Sequence, residues 1–329
     1  MICAGVDVSP LVQTRAGTAR HVHGLLDALA GRAEIEVSPL SFGGRGRLAS
    51  VARDTWWYYA GLPRSARGLD VVHCTTFRGP LRSPVPFTVT LHDLALVRHP
   101  ELFPRWHRVS GRAGLGRVAR AAARVLAVSE FTKREAVELL GLPESGVTVI
   151  GNAVEPVFSP DGPTAKGDYV LAVGTLEPRK NLPRVAQAAA RAGLELRIAG
   201  ARGWGEVDPT GLIDIASWVG EVSDEELAAL YRGARCLVFP SLYEGFGIPV
   251  LEGMACGTPV VTSAGGATEE VAGGAAVLVD PLHIDAIAAG IEEAAARHEE
   301  LCALGLARAR VYSWTAVGDV VEAVWRELA

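Results

Sequence analysis

The chain has 329 residues, of which 49% are hydrophobic and 21% carry a charge. This length suits about two domains, and the balance of residue types excludes a disordered or fibrous protein. The net charge of −5 is unevenly placed: residues 1–155 hold 19 Lys and Arg against 13 Asp and Glu, and residues 156–329 hold 13 against 24. Two domains that bind different partners would explain this asymmetry. The alternative is that surface charge varies between the halves without functional meaning.

Short apolar runs alternate with amphipathic stretches along the first half of the chain. The runs are too short for core helices and several are rich in Val and Ile, so they predict β-strands over residues 2–8, 35–40, 69–74, 87–91, 125–128 and 147–150. Amphipathic segments at 18–30 and 132–140 predict helices between them. Strand–helix alternation of this kind indicates a parallel sheet covered on both faces.

The same pattern restarts after a segment rich in Pro and Gly at 156–167, which predicts a linker. Strands are expected at 169–173, 196–199, 236–239, 260–262 and 276–279, and helices at 182–192, 224–232, 249–255 and 284–296. We therefore predict an α/β protein of two doubly wound, Rossmann-like domains facing a cleft, at 1–155 and 168–312. A last helix within 313–329 is expected to pack back on the first domain. Ligands bind beyond the carboxyl ends of the strands in such sheets.

The chain carries no evident signal for a membrane or for secretion. No apolar run approaches the ~18 residues that a membrane-spanning helix needs. The N-terminus lacks the basic start, apolar middle and cleavage site of a signal peptide. The five cysteines have no CxxC spacing, which disfavours a disulfide framework and a zinc knuckle. We expect a cytoplasmic protein.

The most informative stretch is 236–259, in which a predicted strand runs through a loop into a helix. Gly245 and Gly247 allow close approach of a ligand to the backbone, and the start of the helix suits a phosphate. Glu244 lies in the loop and Glu252 on the helix. Carboxylates repel phosphates but accept hydrogen bonds from sugar hydroxyls, so one could hold a ribose and the other a hexose. The alternative is two surface glutamates near a helix start.

The segment EGFGIPVLE at 244–252 resembles the two-glutamate signature of the retaining glycosyltransferases of family four, which have the GT-B fold. Further segments match that family in the expected order, namely GTLEPRKNL at 174–182, EVSDEELAALYRGA at 221–234, SEFTKREAVELL at 129–140 and VIGNAV at 149–154. The TLEPRKN segment and a His-Asp pair are most similar to those of bacterial polysaccharide mannosyltransferases. The resemblance implies transfer of a hexose from a nucleotide diphosphate sugar with retention of configuration.

The resemblance also implies roles for the second domain. Glu252 would bind the ribose, Glu244 the sugar hydroxyls, and Arg179 with Lys180 the diphosphate, at the carboxyl end of the strand 169–173. A solvated surface pair is the alternative for these adjacent cations. Many relatives carry an arginine where this chain has Thr175, so neutralisation of the phosphates would depend more heavily on Arg179 and Lys180. Further donor contacts are expected from Thr175, Phe246, Gly247, Ile248 and, near the nucleobase, Val222.

The first domain would supply Gly17, just before a predicted helix, to bring its backbone to the donor phosphates. His92 ends the strand 87–91, and in the family a histidine at this place touches the transferred sugar. Asp93 would orient the imidazole or contact the acceptor. A histidine that only caps the strand end by hydrogen bonds is the alternative.

Other motifs exclude competing classes. GARGWG at 200–205 lacks GxGxxG spacing, and no GxxxxGK[ST] occurs, so neither a nicotinamide site nor a P-loop is predicted. The DxD of metal-dependent glycosyltransferases is absent, so we expect no metal and no cofactor beyond the nucleotide sugar. Nucleic acid is disfavoured because the chain is acidic overall and no aromatic residues interleave with its basic ones.

One stretch of the first domain is strongly basic and holds seven arginines, Arg98, Arg105, Arg108, Arg112, Arg117, Arg120 and Arg124. Such a face could meet an anionic membrane or a lipid diphosphate acceptor, and an ordinary solvated helix is the alternative.

The sequence thus predicts a retaining hexosyltransferase. GDP-mannose is favoured as donor ahead of UDP-sugars, and the acceptor is a glycan, a lipid-linked glycan or a small molecule. A sugar-nucleotide epimerase, a phosphorylase or a non-catalytic sugar-nucleotide binding protein would share the fold.

Overall fold

The computed structural model describes residues 1–13, 17–44, 46–103, 114–203 and 216–329. They form two compact units. The N-terminal unit comprises Met1–Ala153 together with Ser313–Ala329, and the C-terminal unit comprises Val154–Tyr312.

A six-stranded parallel sheet forms the centre of the N-terminal unit, in the order β2-β1-β3-β4-β5-β6. Its strands are β1 (Ile2–Asp7), β2 (Ile35–Leu40), β3 (Val71–Cys74), β4 (Phe87–Leu91), β5 (Arg124–Ala127) and β6 (Val147–Val149). Every residue of β3 and β4 is buried. Continuous apolar runs, rather than alternating ones, are what a sheet covered on both faces requires.

Helices of this unit lie between the strands: α1 (Ser9–Gln13), α2 (Gly17–Leu29), α3 (Arg47–Ala52), α4 (Leu62–Ser65), α5 (Ala95–Arg98) and α6 (Glu130–Leu140). A π-helix, Arg53–Gly61, joins α3 to α4, and short 3₁₀ turns lie at Pro100–Leu102 and Glu144–Gly146. Helix α6 begins two residues before its predicted start because the Ser129 side chain accepts a hydrogen bond from the Thr132 amide at 3.0 Å.

The C-terminal unit contains a second six-stranded parallel sheet, in the order β12-β11-β10-β7-β8-β9. Its strands are β7 (Tyr169–Val173), β8 (Glu195–Ala199), β9 (Ala216–Gly220), β10 (Leu237–Phe239), β11 (Val260–Ser263) and β12 (Val277–Val279). The strand order reverses between β7 and β10, which is the topological switch point where ligands bind in doubly wound sheets.

Within the part of this unit that the structure describes, the helices are α7 (Leu182–Arg191), α8 (Asp224–Gly233), α9 (Ile248–Ala255), α10 (Ala267–Ala272), α11 (Ile284–Ala296) and α12 (His298–Ala309). Helices α7 and α11 supply many of the apolar side chains of one buried core, which includes Val185, Ala189, Ile287 and Ile291. Among the described residues of the whole chain, none lies in a helix with the length and apolar character needed to cross a membrane.

Strand β9 was not predicted. It lies at an edge of the sheet, and its side chains are alternately half-buried and exposed. With only one β-branched residue in ASWVG, it lacks the apolar run that marks the other strands. Trp218 anchors it to the neighbouring loop, because its indole N–H donates to the Gly200 carbonyl at 2.9 Å.

The Pro- and Gly-rich segment predicted as a linker is part of the C-terminal unit. Phe158 is buried edge-on against Tyr231 of α8, with ring centroids 6.0 Å apart. The Arg232 guanidinium donates to the carbonyls of Ser159 and Pro163 at 2.9 and 2.8 Å. The Pro and Gly content of this segment accounts for its irregular backbone. Its packing against α8 depends on residues far along the chain.

The last helix, α13 (Trp314–Leu328), belongs to the N-terminal unit and packs along α2. Gly24 of α2 makes the close approach possible, because a Cβ at this position would overlap the Trp314 ring. Arg32, which follows α2, forms ion pairs with Glu322 at 2.5 Å and Asp319 at 2.8 Å. Trp325 is fully buried in the core beneath.

We expect Trp325→Ala to lower the free energy of unfolding by about 3–5 kcal/mol, the usual cost of removing a buried aromatic side chain. Trp56→Ala is the matched control, because this ring in the same unit is 49% exposed and its loss should cost about 1 kcal/mol. Denaturant unfolding followed by circular dichroism measures both values. Equal losses in the two variants would contradict the docking of α13.

Candidate active site

The turn after β7 carries the predicted cations. Its 3₁₀ segment, Pro178–Lys180, begins with a proline whose fixed φ suits a helical start. The turn ends at Asn181, whose φ of 59° makes it the one non-glycine residue with positive φ in the described chain. Asparagine tolerates this left-handed conformation better than most residues, and helix α7 starts directly after it.

Asn181 also joins three loops at the carboxyl edge of the sheet. Its side-chain amide donates to the Pro240 carbonyl at 3.1 Å and to the Pro281 carbonyl at 2.6 Å. These prolines follow β10 and β12, so one buried side chain fixes the β7 turn to two other strand ends. No role was predicted for Asn181; the sequence marks it as a helix N-cap, but its side chain bonds to the two loops rather than to the backbone of the helix.

Glu244, in the loop after β10, is paired with both predicted cations. Its Oε2 lies 2.7 Å from Arg179 Nη1, and its Oε1 lies 2.6 Å from Lys180 Nζ. The Glu244 and Lys180 side chains are each 9% exposed. Burial alone would raise the pKa of Glu244, but Arg179 and Lys180 outweigh it and lower that pKa. The carboxylate is therefore ionised at neutral pH.

A second carboxylate, which the sequence analysis missed, completes this cluster. Glu177 Oε1 lies 2.6 Å from Arg179 Nε, and the Glu177 side chain is 2% exposed. Burial raises the pKa of Glu177, with Arg179 and Lys180 acting in the opposite direction. Two carboxylates thus face two cations, in a cluster made by the loops after β7 and β10 on the two sides of the switch point.

Glu252 lies on α9 and is 1% exposed. It accepts a hydrogen bond from the Tyr231 hydroxyl of α8 at 2.8 Å, and Thr258 in turn donates to the Tyr231 carbonyl at 2.7 Å. Tyr231 therefore orients the Glu252 carboxylate.

Gly247 forms the entry to α9, with Ile248 as the first helical residue. Its φ of 104° is accessible to glycine but strained for other residues, and a Cβ would lie 2.9 Å from Thr268 Cγ2. Phe246 is buried edge-on against Tyr312, with ring centroids 5.5 Å apart. The first amides of α9 are left without helical carbonyl partners, as at any helix start.

Two other residues predicted to contact the donor, Thr175 and Val222, lie outside the strands and helices. Thr175 lies in the β7 turn and is half-buried. Val222 is half-buried just before Ser223, whose side chain caps α8 in a capping box with Glu226. Among the described residues, no group of three or more His, Cys, Asp or Glu side chains is placed to hold a metal ion.

In the N-terminal unit, His92 follows the end of β4. Its Nε2 lies 2.9 Å from the Thr75 carbonyl, which can only accept, so Nε2 carries the proton and Nδ1 is an acceptor. His21 stands edge-on to this ring, with centroids 4.9 Å apart. Burial lowers the pKa of His92, and His92 is therefore neutral at pH 7.

Asp93 and Gly17 lie at helix starts of the same unit. The Asp93 carboxylate accepts a hydrogen bond from the Ala95 amide at 3.1 Å, at the start of α5. Gly17 is exposed as the first residue of α2, and a Cβ there would meet no atom within 4 Å.

The predicted basic face falls partly outside the described residues, since Arg105, Arg108 and Arg112 are not among them. Three other arginines of that stretch have partners within the unit. Arg98 pairs with Glu135 at 2.5 Å, Arg120 donates to the Leu140 carbonyl at 3.0 Å, and Arg124 pairs with Glu327 at 3.1 Å.

Comparisons with known proteins identify the family of the chain. Residues 15–158 match the family model Glycosyltransferase Family 4, and residues 158–304 match Glycosyl transferases group 1. The chain is 30% identical over 335 residues to O-antigen chain mannosyltransferase B of Escherichia coli, which covers 94% of this chain and 84% of that protein.

Solved structures share the fold over the whole chain. Sucrose-phosphate synthase from Thermosynechococcus elongatus superposes with a TM-score of 0.80 at 18% identity, covering 100% of this chain and 99% of that one. Anabaena HepE in complex with UDP-glucose superposes with a TM-score of 0.73 at 16% identity, covering 100% of both chains.

The chain contains two Rossmann-like units, each built on a six-stranded parallel sheet. This architecture and these matches define a glycosyltransferase of the GT-B fold. The chain belongs to glycosyltransferase family 4, and within it resembles the polysaccharide mannosyltransferases.

We expect Gly247→Ala to destabilise the protein by about 1–3 kcal/mol, because a side chain there is strained in φ and also overlaps Thr268. Gly274→Ala separates the two effects, since Gly274 has a φ of 86° but open space where its Cβ would lie. Thermal unfolding of both variants should show the larger loss for Gly247→Ala. An unchanged midpoint for that variant would contradict the described entry to α9.

Proposed function

We propose that this protein transfers a hexose from a nucleotide diphosphate sugar to a glycan, lipid-linked or small-molecule acceptor, with retention of configuration and without a metal ion. The observation that carries this proposal is the cluster of Arg179, Lys180 and Glu244 at the switch point of the C-terminal sheet. Cations and a sugar-binding carboxylate side by side suit a ligand in which a diphosphate is joined to a sugar.

In this proposal Arg179 and Lys180 bind the diphosphate and stabilise the charge that develops on it as the glycosidic bond breaks. Glu244 accepts hydrogen bonds from the hexose hydroxyls, and Glu252 from the ribose. Backbone amides of Phe246, Gly247 and Ile248 support the sugar or the phosphates, since anions are favoured at a helix start.

The chain's own groups suggest how retention would arise. The proposal assigns no nucleophile in the cluster, whose two carboxylates are engaged by Arg179 and Lys180. We therefore propose that the acceptor hydroxyl attacks the face from which the diphosphate departs. The leaving phosphate takes the proton of that hydroxyl.

Residues of the N-terminal unit have parallel roles in the proposal. His92, neutral and with Nδ1 as an acceptor, receives a hydrogen bond from a hydroxyl of the transferred sugar. The proposal assigns the exposed Gly17 to contact with the donor phosphates. Asp93 contacts the acceptor. The proposal also includes association with an anionic membrane through the arginines of residues 98–124.

The name of the Escherichia coli relative, a mannosyltransferase, favours GDP-mannose as the donor. The HepE structure holds UDP-glucose, which makes UDP-sugars the second choice.

We expect calorimetric titration with GDP, UDP and ADP to show selective binding of one nucleotide. Glu252→Ala should weaken this binding about tenfold or more, because a buried carboxylate that bonds the ribose is lost. Glu252→Gln is the matched variant, since its amide oxygen still accepts from the Tyr231 hydroxyl and so tests the charge without opening a cavity. No binding of any of the three nucleotides by the wild-type protein would overturn the proposed function.

In a transfer assay, Arg179→Ala should lower kcat by about 10²–10³, the usual effect of removing one donor that stabilises developing charge. Arg191→Ala controls for loss of an arginine, because Arg191 is 50% exposed in a surface pair with Asp285. The assay is run with and without EDTA, and the anomeric configuration of the product is read by NMR. Inverted product would contradict retention, and loss of activity in EDTA would contradict metal independence.

A further inference from the structure

Glu177 is the charged residue of the cluster to which the proposed function assigns no role. It is more deeply buried than the other three, and among the described residues it forms one ion pair, to Arg179 at 2.6 Å. Glu244, in contrast, touches both cations. Among the described residues, the titratable or charged groups that face Glu177 are Arg179, Lys180 and Glu244.

The contact positions the guanidinium of Arg179. Glu177 holds the Nε edge, so that Nη1 is directed to Glu244 on the other side. A flexible arginine side chain loses much rotamer freedom on ligand binding, and a fixed second contact reduces that loss.

The backbone that carries Glu177 is held in place by the loop after β8. The Gly174 amide donates to the Ala199 carbonyl at 2.9 Å, and the Leu176 amide donates to the Ala201 carbonyl at 3.0 Å. A Cβ at Gly200 would overlap the Gly174 carbonyl, and one at Gly203 would overlap the Leu176 carbonyl. Gly200 and Gly203 thus permit this close contact between the two loops, which holds the backbone just before Glu177.

Charge then limits what the cluster can bind. Two carboxylates balance two cations, so the four side chains have no net charge when all are ionised. A nucleotide sugar brings two further negative charges, and leaving them uncompensated in a poorly solvated site is costly. Because the backbone of Glu177 is held in place, this side chain can reduce the excess by accepting a proton. Glu244 is less able to do so, because it contacts both cations directly, whereas Glu177 contacts Arg179.

We propose that Glu177 positions Arg179 and takes up one proton from solvent when the diphosphate of a nucleotide sugar binds beside them. The protonated carboxyl keeps a carbonyl oxygen that accepts from Arg179 Nε. This inference rests on the proposed function, since it requires a diphosphate at Arg179 and Lys180. It predicts that affinity for the nucleotide sugar rises as pH falls, because the bound state holds the extra proton.

The test is calorimetric titration with GDP-mannose and UDP-glucose, in buffers of different ionisation enthalpy, over about pH 5.5–8. A nucleotide sugar is the right probe because both of its phosphates are esterified, whereas the terminal phosphate of a free nucleoside diphosphate titrates near pH 6 itself. We expect the wild-type protein to take up a measurable fraction of a proton for each nucleotide sugar bound.

Variants separate positioning from a merely structural role. Glu177→Gln keeps an oxygen for Arg179 and should bind with similar or higher affinity, but without proton uptake and with a weaker dependence on pH. Glu177→Ala should bind about tenfold more weakly, because Arg179 loses its second contact. Glu195→Gln is the matched control, since it removes an exposed carboxylate paired with Arg197 at 2.9 Å and should leave the proton uptake unchanged.

The outcomes are distinguishable. Binding by the wild-type protein without proton uptake, or an uptake that persists in Glu177→Gln, would overturn the role of Glu177 and leave the proposed function standing. If the wild-type protein bound neither nucleotide sugar, both the role of Glu177 and the proposed function would be overturned.

Discussion

The C-terminal unit is organised around the need to hold two carboxylates and two cations together out of water. Unpaired charges at this depth are costly, so each member of the cluster depends on the others. Two features of the backbone make the arrangement possible. Asn181 links three strand ends, and the glycines after β8 let a second loop press against the turn that carries Glu177 and Arg179. Substitutions of Asn181, Gly200 or Gly203 would therefore disturb the geometry of the cluster as well as the stability of the fold.

The N-terminal unit has a group of neighbouring histidines beside the end of β4. His92 is half-buried and neighbours two buried histidines, His21 and His73, and desolvation lowers the pKa of all three. A neutral imidazole whose Nε2 is committed to Thr75 offers an acceptor without adding charge. Such a group suits a hydroxyl better than a phosphate. The cluster of the C-terminal unit, in contrast, consists of four charged side chains.

Much of the fold was predictable because local pattern and parallel-sheet burial agree. Eleven strands of the described chain coincide with runs predicted from the sequence, and β9 was missed because ASWVG holds one β-branched residue and is only half-buried. The order of the family motifs likewise assigned four site residues to the predicted second domain, namely Arg179, Lys180, Glu244 and Glu252. What it left out was Glu177, which stands inside the same motif as an ordinary glutamate beside a proline.

The sequence by itself determined the class of fold, the family and the residue types at the switch point, because these depend on short-range pattern and motif order. Only the tertiary structure decided that Glu177 is buried against Arg179, that residues 156–167 pack on α8 and that α13 returns to α2. Each of these depends on contacts between residues tens to hundreds of positions apart or on burial by distant loops. Burial sets the cost of a charge, and it is a property of the folded chain rather than of neighbours in the sequence.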